Sequence, residues 1–297
     1  MSRLKTFLLA FAAVMVALPS MAQGVVVFQK DGTRVVYPYE AIDSIVTYNY
    51  DETPPTGGGS SDNGNGGGSV NDGQNKVFTV NGVSFTMIAV KGGTFTMGTP
   101  RVDESPSHSV TLSDYYIGET EVTQELWNAV MGSNPSNFTG NMQRPVEKVS
   151  WDDCQTFISR LNELTGETFR LPTEAQWEYA ARGGNKSNGY TYSGSNEIDE
   201  VAWYYDNSGG ITYSVKTKAP NELGIYDMTG NVYEWCSDWY GDYSSAAQTD
   251  PTGAATGTYR VRRGGSWDWN ATFCRVAHRS GSTPSVFAID LGLRLAH

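Results

Sequence analysis

The chain is poor in the side chains that hold redox metals. It has three histidines (His108, His278, His297) and three cysteines (Cys154, Cys236, Cys274) in 297 residues. No His-x-x-x-His pair and no histidine–carboxylate cluster stands at ligand spacing, so the sequence carries no zinc or non-haem iron motif. Basic residues are also few: 21 Lys and Arg face 32 Asp and Glu, a formal net charge of -11. Such a surface repels phosphate backbones, which removes nucleic acid from the expected partners. It is also the ordinary composition of a solvated, exported protein. Beyond the first residues, no apolar run is long enough to cross a bilayer as a helix.

Aromatic and small residues dominate what is present. Hydrophobic residues make up 39% and aromatics 12%, enough for one sizeable core. The 33 glycines and 17 tyrosines predict a loop-rich fold in place of a helix bundle.

The N-terminal residues read as an export signal. Arg3 and Lys5 form a basic start, Leu8 to Leu18 an apolar run, and Ser20-Met21-Ala22 a small-residue cleavage site. Residues 1–22 are therefore expected to be removed after Ala22, leaving a protein that is secreted, periplasmic or held at the cell surface. No cysteine follows that site, which argues against a lipid anchor. Residues 24–50 read as a small β module: Val25, Val27, Val35, Tyr37, Ile42, Ile45 and Val46 are its apolar positions, and Asp31-Gly32 is its hairpin signal. Residues 51–75, rich in Gly and Ser, read as a flexible linker.

Residues 76–297 read as one α+β domain. Phe85–Val90 and Thr94–Met97 alternate like two strands, with Gly92-Gly93 as the turn between them. Val110–Ile117 is a further strand. Helices are expected over Glu121–Met131 with Thr123 as a cap, from Ser150 with Trp151, Cys154, Phe157, Ile158 and Leu161 on one face, and from Thr173 to Gly183-Gly184. Trp151, Trp177 and Trp235 are expected in the core.

Several motifs stand in order along this domain. They are Gly92-Gly93-Thr94-Phe95-Thr96-Met97-Gly98, Pro145-Val146-Glu147-Lys148-Val149-Ser150-Trp151, and Arg170-Leu171-Pro172-Thr173-Glu174-Ala175-Gln176-Trp177-Glu178-Tyr179. Gly230-Asn231-Val232-Tyr233-Glu234-Trp235, Arg263-Gly264-Gly265-Ser266-Trp267 and Leu291-Gly292-Leu293-Arg294 follow. Together they resemble the formylglycine-generating enzyme, or sulfatase-modifying factor, family. The resemblance implies an irregular C-type-lectin-like fold over 76–297, preceded by the small β module.

The resemblance also implies a copper oxidase whose two cysteines follow the Gly-Gly-Ser motif. Two soft thiolates suit Cu(I). Counted forward from Ser266, those positions hold Trp269 and Cys274; counted backward from Arg275-Val276-Ala277, the second position is Ala271 and the loop is three residues short. Under either count the first cysteine is absent, so copper and formylglycine-generating activity are not expected. Cys154, on the apolar face of a helix, reads as an inert buried thiol. In the fold the resemblance implies, Cys236 and Cys274 flank segments that pack together, so they are expected either to form a disulfide or to leave Cys274 a free thiol.

The resemblance further implies structural calcium at the run Asp227 to Glu234. Carboxylates of Asp227 and Glu234 and backbone carbonyls of Gly230 and Val232 would be the ligands. The alternative is that Asp227 caps a turn and Glu234 pairs with an arginine such as Arg263. Trp203, Trp267, Trp269 and Arg279 lie where the family's substrate groove opens and are the candidate binding groove. They suit a peptide or glycan, or fill the vacated oxidase site. The expected function is a non-catalytic binding or structural module of the cell envelope, with protein, peptide or glycan as partner. The alternative is an oxidoreductase with an altered site built on Trp269 and Cys274.

Overall fold

The computed structural model describes residues 24–28, 34–38 and 73–297. The first two stretches are strands β1 (Gly24–Phe28) and β2 (Arg34–Pro38), paired antiparallel with Val26 opposite Val36. The Asp31-Gly32 turn, the rest of the expected β module, the signal and nearly all of the linker fall outside the described residues.

Three small sheets make up the unit that starts near residue 73. Strands β3 (Lys76–Val80), β4 (Val83–Val90) and β7 (Tyr115–Gly118) form one antiparallel sheet in that order. Strands β5 (Gly93–Met97), β6 (His108–Leu112) and β9 (Gln248–Thr249) form a second. The third has the order β11-β10-β8-β12, from β8 (Tyr233–Trp239), β10 (Arg260–Arg263), β11 (Arg279–Ser282) and β12 (Leu291–Leu293). Within it β12 runs parallel to β8, with Gly292 opposite Glu234.

Two expectations change here. Gly92-Gly93 is not a hairpin turn, because β4 pairs with β3 and β7 while β5 pairs with β6. The glycines serve a close approach: a Cβ on Gly92 would collide with the Leu112 carbonyl. The single strand expected over Val110–Ile117 is two strands. The break falls at Ser113-Asp114, whose polar groups are drawn out of the ladder. Ser113 donates from both its N–H and its hydroxyl to Asp250, and Asp114 accepts from the Gly92 N–H and Lys91 Nζ.

The helices follow their capping signals. Helix α1 (Gln124–Met131) starts at Thr123, whose hydroxyl accepts the Leu126 N–H. In α2 (Trp151–Thr165) Ser150 and Asp153 form a reciprocal capping box; in α3 (Glu174–Ala181) Thr173 and Gln176 do the same. Helix α2 closes on Gly166 at φ 73, which suits glycine best. A fourth, single-turn helix, α4, spans Ile198–Val201.

Helices α1 and α2 bury one face each, and Trp127 stacks on Phe157 at 4.8 Å. Helix α3 is different: all eight of its residues are buried. A helix hydrophobic or enclosed all round must find partners for its polar groups. Glu174 and Glu178 find them in Arg279 and Arg263. Trp177 and Trp235 are fully buried as expected, whereas Trp151 is half-buried beneath the Arg260 guanidinium at 3.9 Å.

Candidate functional site

The Gly-Gly-Ser segment leaves β10 through Gly264 and Gly265, at φ 97 and 71. Only glycine enters that region without strain, and a Cβ on Gly265 would also collide with the Cys274 sulfur. The chain therefore passes tightly over Cys274 before it opens into Trp267 and Trp269.

Both indoles clamp the segment ahead of β12. Trp267 Nε1 donates to the Ile289 carbonyl at 3.2 Å, and Trp269 Nε1 donates to Asp290 Oδ2 at 3.0 Å. Ser266 adds a hydroxyl bond to the same carboxylate oxygen at 3.1 Å. Trp267 meets Phe138 edge-on at 5.3 Å; Trp269 meets Phe273 edge-on at 4.8 Å and Tyr233 at 5.9 Å. The Tyr205 N–H donates to the Trp269 carbonyl at 3.1 Å. These bonds tie the backbones of Tyr205 and Ile289 to the segment; both side chains are exposed, as are Val286 and Phe287 shortly before Ile289, Tyr205 and Phe287 by more than half (63% and 61%). Clustered apolar exposure of this kind marks an interaction surface more often than scattered exposure does.

The expected groove is only partly assembled. Trp267 and Trp269 belong to this face. Trp203 reaches it through its backbone, because the Tyr204–Tyr205 segment leads to Trp269. Its ring is stacked on Tyr213 at 3.8 Å, under Lys218 Nζ at 4.2 Å. Arg279 does not belong. It is buried against Glu174, with 2.8 and 2.7 Å bonds from Nε and Nη2, and its guanidinium lies over Tyr243 at 4.0 Å. With Glu174 and Tyr243 it lines a separate cavity, not the face around Trp269.

Cys274 is fully buried, and burial pushes its thiol up to about 12. Its sulfur sits 3.9 Å from the Trp269 carbonyl. The thiolate is the metal ligand and the nucleophile, and this group does not reach it near neutral pH. The expected Cys236–Cys274 disulfide is not formed: Cys154, Cys236 and Cys274 are all free and buried. Cys236 packs in the cluster of Trp177, Val261 and Val276, while Cys274 packs with Ala202 and Tyr204. The two thiols thus pack in different clusters.

In the run Asp227–Glu234, the two carboxylates named as calcium ligands have protein partners in this structure. Both Glu234 oxygens are taken: Arg294 donates from Nε and Nη2, at 2.8 Å for the closest contact, and Trp177 Nε1 donates at 2.6 Å. Asp227 Oδ2 accepts the Lys216 N–H at 2.8 Å. Glu121, unmarked in the sequence reading, completes the network by accepting Asn231 Nδ2 and the Val232 N–H at 2.8 and 3.1 Å. Burial pushes its carboxyl well above the usual range, with the charges of Asp227 and Glu234 adding to the effect. The arginine that pairs with Glu234 is Arg294; Arg263 pairs with Glu178 and Glu174. Among the described residues no group of three or more His, Cys, Asp or Glu is placed to hold a metal ion.

Comparison with known proteins agrees with this architecture. The sulfatase-modifying factor enzyme 1-like domain family matches residues 75–297. The chain is 35% identical to the chaperone protein LppX of Paenibacillus barcinonensis over 72% of its own length and 89% of that protein's. It is 30% identical to the formylglycine-generating enzyme of Streptomyces coelicolor, over 71% and 88%. Among solved structures it is similar to Treponema denticola variable protein 1, with a TM-score of 0.71 and 38% identity over 75% of this chain and 98% of that one. The C-type-lectin-like fold, the ordered motifs and the extent of the match together show that this chain belongs to the sulfatase-modifying factor enzyme 1-like domain family.

Proposed function

We propose that this chain is an exported protein whose domain is a non-catalytic binding module of the cell envelope. Its ligand surface is the apolar face built on Trp267 and Trp269. The burial of Cys274 carries the reading: counted forward from Ser266, one position of the family's thiol pair is Trp269 and the other holds a thiol that does not ionise near neutral pH. The two indoles that replace paired-thiolate chemistry fix the loops which expose Tyr205, Phe287 and Ile289. Aromatic and aliphatic groups beside a polar rim suit an extended polypeptide, with a glycan as the second ligand class. The relative named as a chaperone protein supports the polypeptide. The formylglycine-generating enzyme among the relatives supports the second reading, an oxidoreductase with an altered site.

One set of measurements separates them. An unfolded, carboxymethylated polypeptide titrated into the full chain is expected to change tryptophan emission saturably. Phe287→Ser and Tyr205→Ser should weaken that binding about ten-fold with no change in Tm. Oxygen uptake with added copper and a thiol, abolished by Cys274→Ser, would establish the oxidoreductase in its place. Chelation with EDTA should leave Tm unchanged; a fall of several degrees would restore calcium ligation near Asp227.

A further inference from the structure

Away from the apolar face, a cavity opens between β6, the start of α3 and the loop after β9. It is an open depression of about 580 Å³, within the range of small-ligand sites. Leu112, Tyr115 and Pro251 give it apolar walls, and Arg170, Gln176 and Thr252 line it with polar groups.

Arg170 is set apart by what it lacks. Arg263, Arg279 and Arg294 each meet a buried carboxylate. Arg170 makes no such ion pair among the described residues, although it is largely withdrawn from water and the buried Asp238 carboxylate bears on it electrostatically. Its Nη1 donates to the Leu171 carbonyl at 3.1 Å and to Gln176 Oε1 at 2.8 Å. Those two bonds fix the plane of the guanidinium and leave the Nε–Nη2 edge without a hydrogen-bond partner among the described residues. Neither of those nitrogens is sealed off as a buried orphan. That edge is the one that grips a carboxylate with two parallel N–H···O bonds.

The acids on the cavity wall do not compete for it. Both Asp250 oxygens accept from Ser113, and Asp114 is held by Lys91 and the Gly92 N–H. Burial lowers the Arg170 pKa below its ordinary value, and the charges of Tyr115 and Asp238 offset only part of that. The net charge of -11 opposes an anion at long range, but salt screens that repulsion beyond about 10 Å at 0.1 M.

We infer that this cavity is a binding site for an organic carboxylate, whose oxygens take the Nε–Nη2 edge of Arg170 while its apolar body rests on Leu112, Tyr115 and Pro251. A free acid or the C-terminus of a peptide could supply that group. The site is independent of the apolar face around Trp269 and does not rest on the function proposed for it.

The test is thermal denaturation of the full chain at fixed ionic strength, with benzoate, with N-acetyl-Leu-Phe bearing a free C-terminus, and with the same dipeptide amidated. At least one free acid should raise Tm saturably, as a ligand that binds only the folded state must, and the amide should not. Tighter binding of the dipeptide than of benzoate would assign the site to peptide termini; the reverse order would assign it to free acids. Arg170→Lys keeps the charge but loses the fork, and should weaken the effect about ten-fold. Thr252→Trp fills the exposed mouth without touching the Arg170 bonds, and should abolish it. Equal shifts with acid and amide, no saturable shift with either acid, or a shift unchanged in both variants would overturn the inference.

Discussion

Cys274 shows how one residue's surroundings set its chemistry. Its thiol is enclosed beneath Gly265, and its pKa is pushed up to about 12. Burial also raises the thiols of Cys154 and Cys236 well above their ordinary value. A thiol reagent should therefore label none of the three in the native protein and all three after unfolding without reductant. Recovery of a single reactive thiol on unfolding, with a Tm that falls in reductant, would show that Cys236 and Cys274 bond after all. Glu234 and Arg294 give the complementary case, a buried pair with every polar atom matched. Breaking it with Arg294→Met leaves the Glu234 charge uncompensated and should cost about 3–5 kcal/mol in chemical denaturation. A loss below about 1 kcal/mol would mean that Trp177 Nε1 and water satisfy the carboxylate alone.

At the scale of elements, the caps were legible and the sheet partners were not. Ser150 with Asp153 and Thr173 with Gln176 announce two helix starts through local chemistry, and both capping boxes form. Ser150→Ala removes an acceptor for the Asp153 N–H, and should cost about 1 kcal/mol in a denaturant titration with an unchanged slope. Strand partners depend on distant segments. Nothing in Phe85–Met97 says that β4 and β5 belong to different sheets. That is decided by β7 and β6, and by the close pass of Gly92 against Leu112. Arg279 was misread for the same reason: its partner Glu174 is 105 residues away in sequence.

For the whole molecule, buried acids link stability to pH. Asp238 and Glu147 are both pushed up to about 7, each chiefly by burial; for Asp238 the nearby Glu174 charge adds to it. Glu147 also leaves one oxygen without a partner. An acid with a raised folded pKa holds its proton in the folded state after the unfolded chain has released it, so stability falls as pH rises from about 4 to 7. His278, pulled down to about 4 by burial and the Arg263 charge, acts in the opposite sense over its lower window, from about 4 to 6.5. Asp227, raised to about 6, and Glu121, raised well above its ordinary value, act in the same sense as these two acids, so the histidine is outweighed and stability declines; above about 6.5 the histidine no longer contributes. Tm is expected to drop by several degrees between pH 6 and 8, and Asp238→Asn should shrink that drop. A Tm that rises over this interval would refute the assignment.

The sequence by itself determined the family, the α+β class, the helix starts and the missing cysteine, because each is written in residues close together along the chain. Tertiary structure alone decided that Arg294 and not Arg263 meets Glu234, that Cys236 and Cys274 lie in separate clusters, and that Arg170 is left facing a cavity. These depend on which distant side chains share one desolvated space. There an unmatched charge costs several kcal/mol, and a matched one fixes the packing around it.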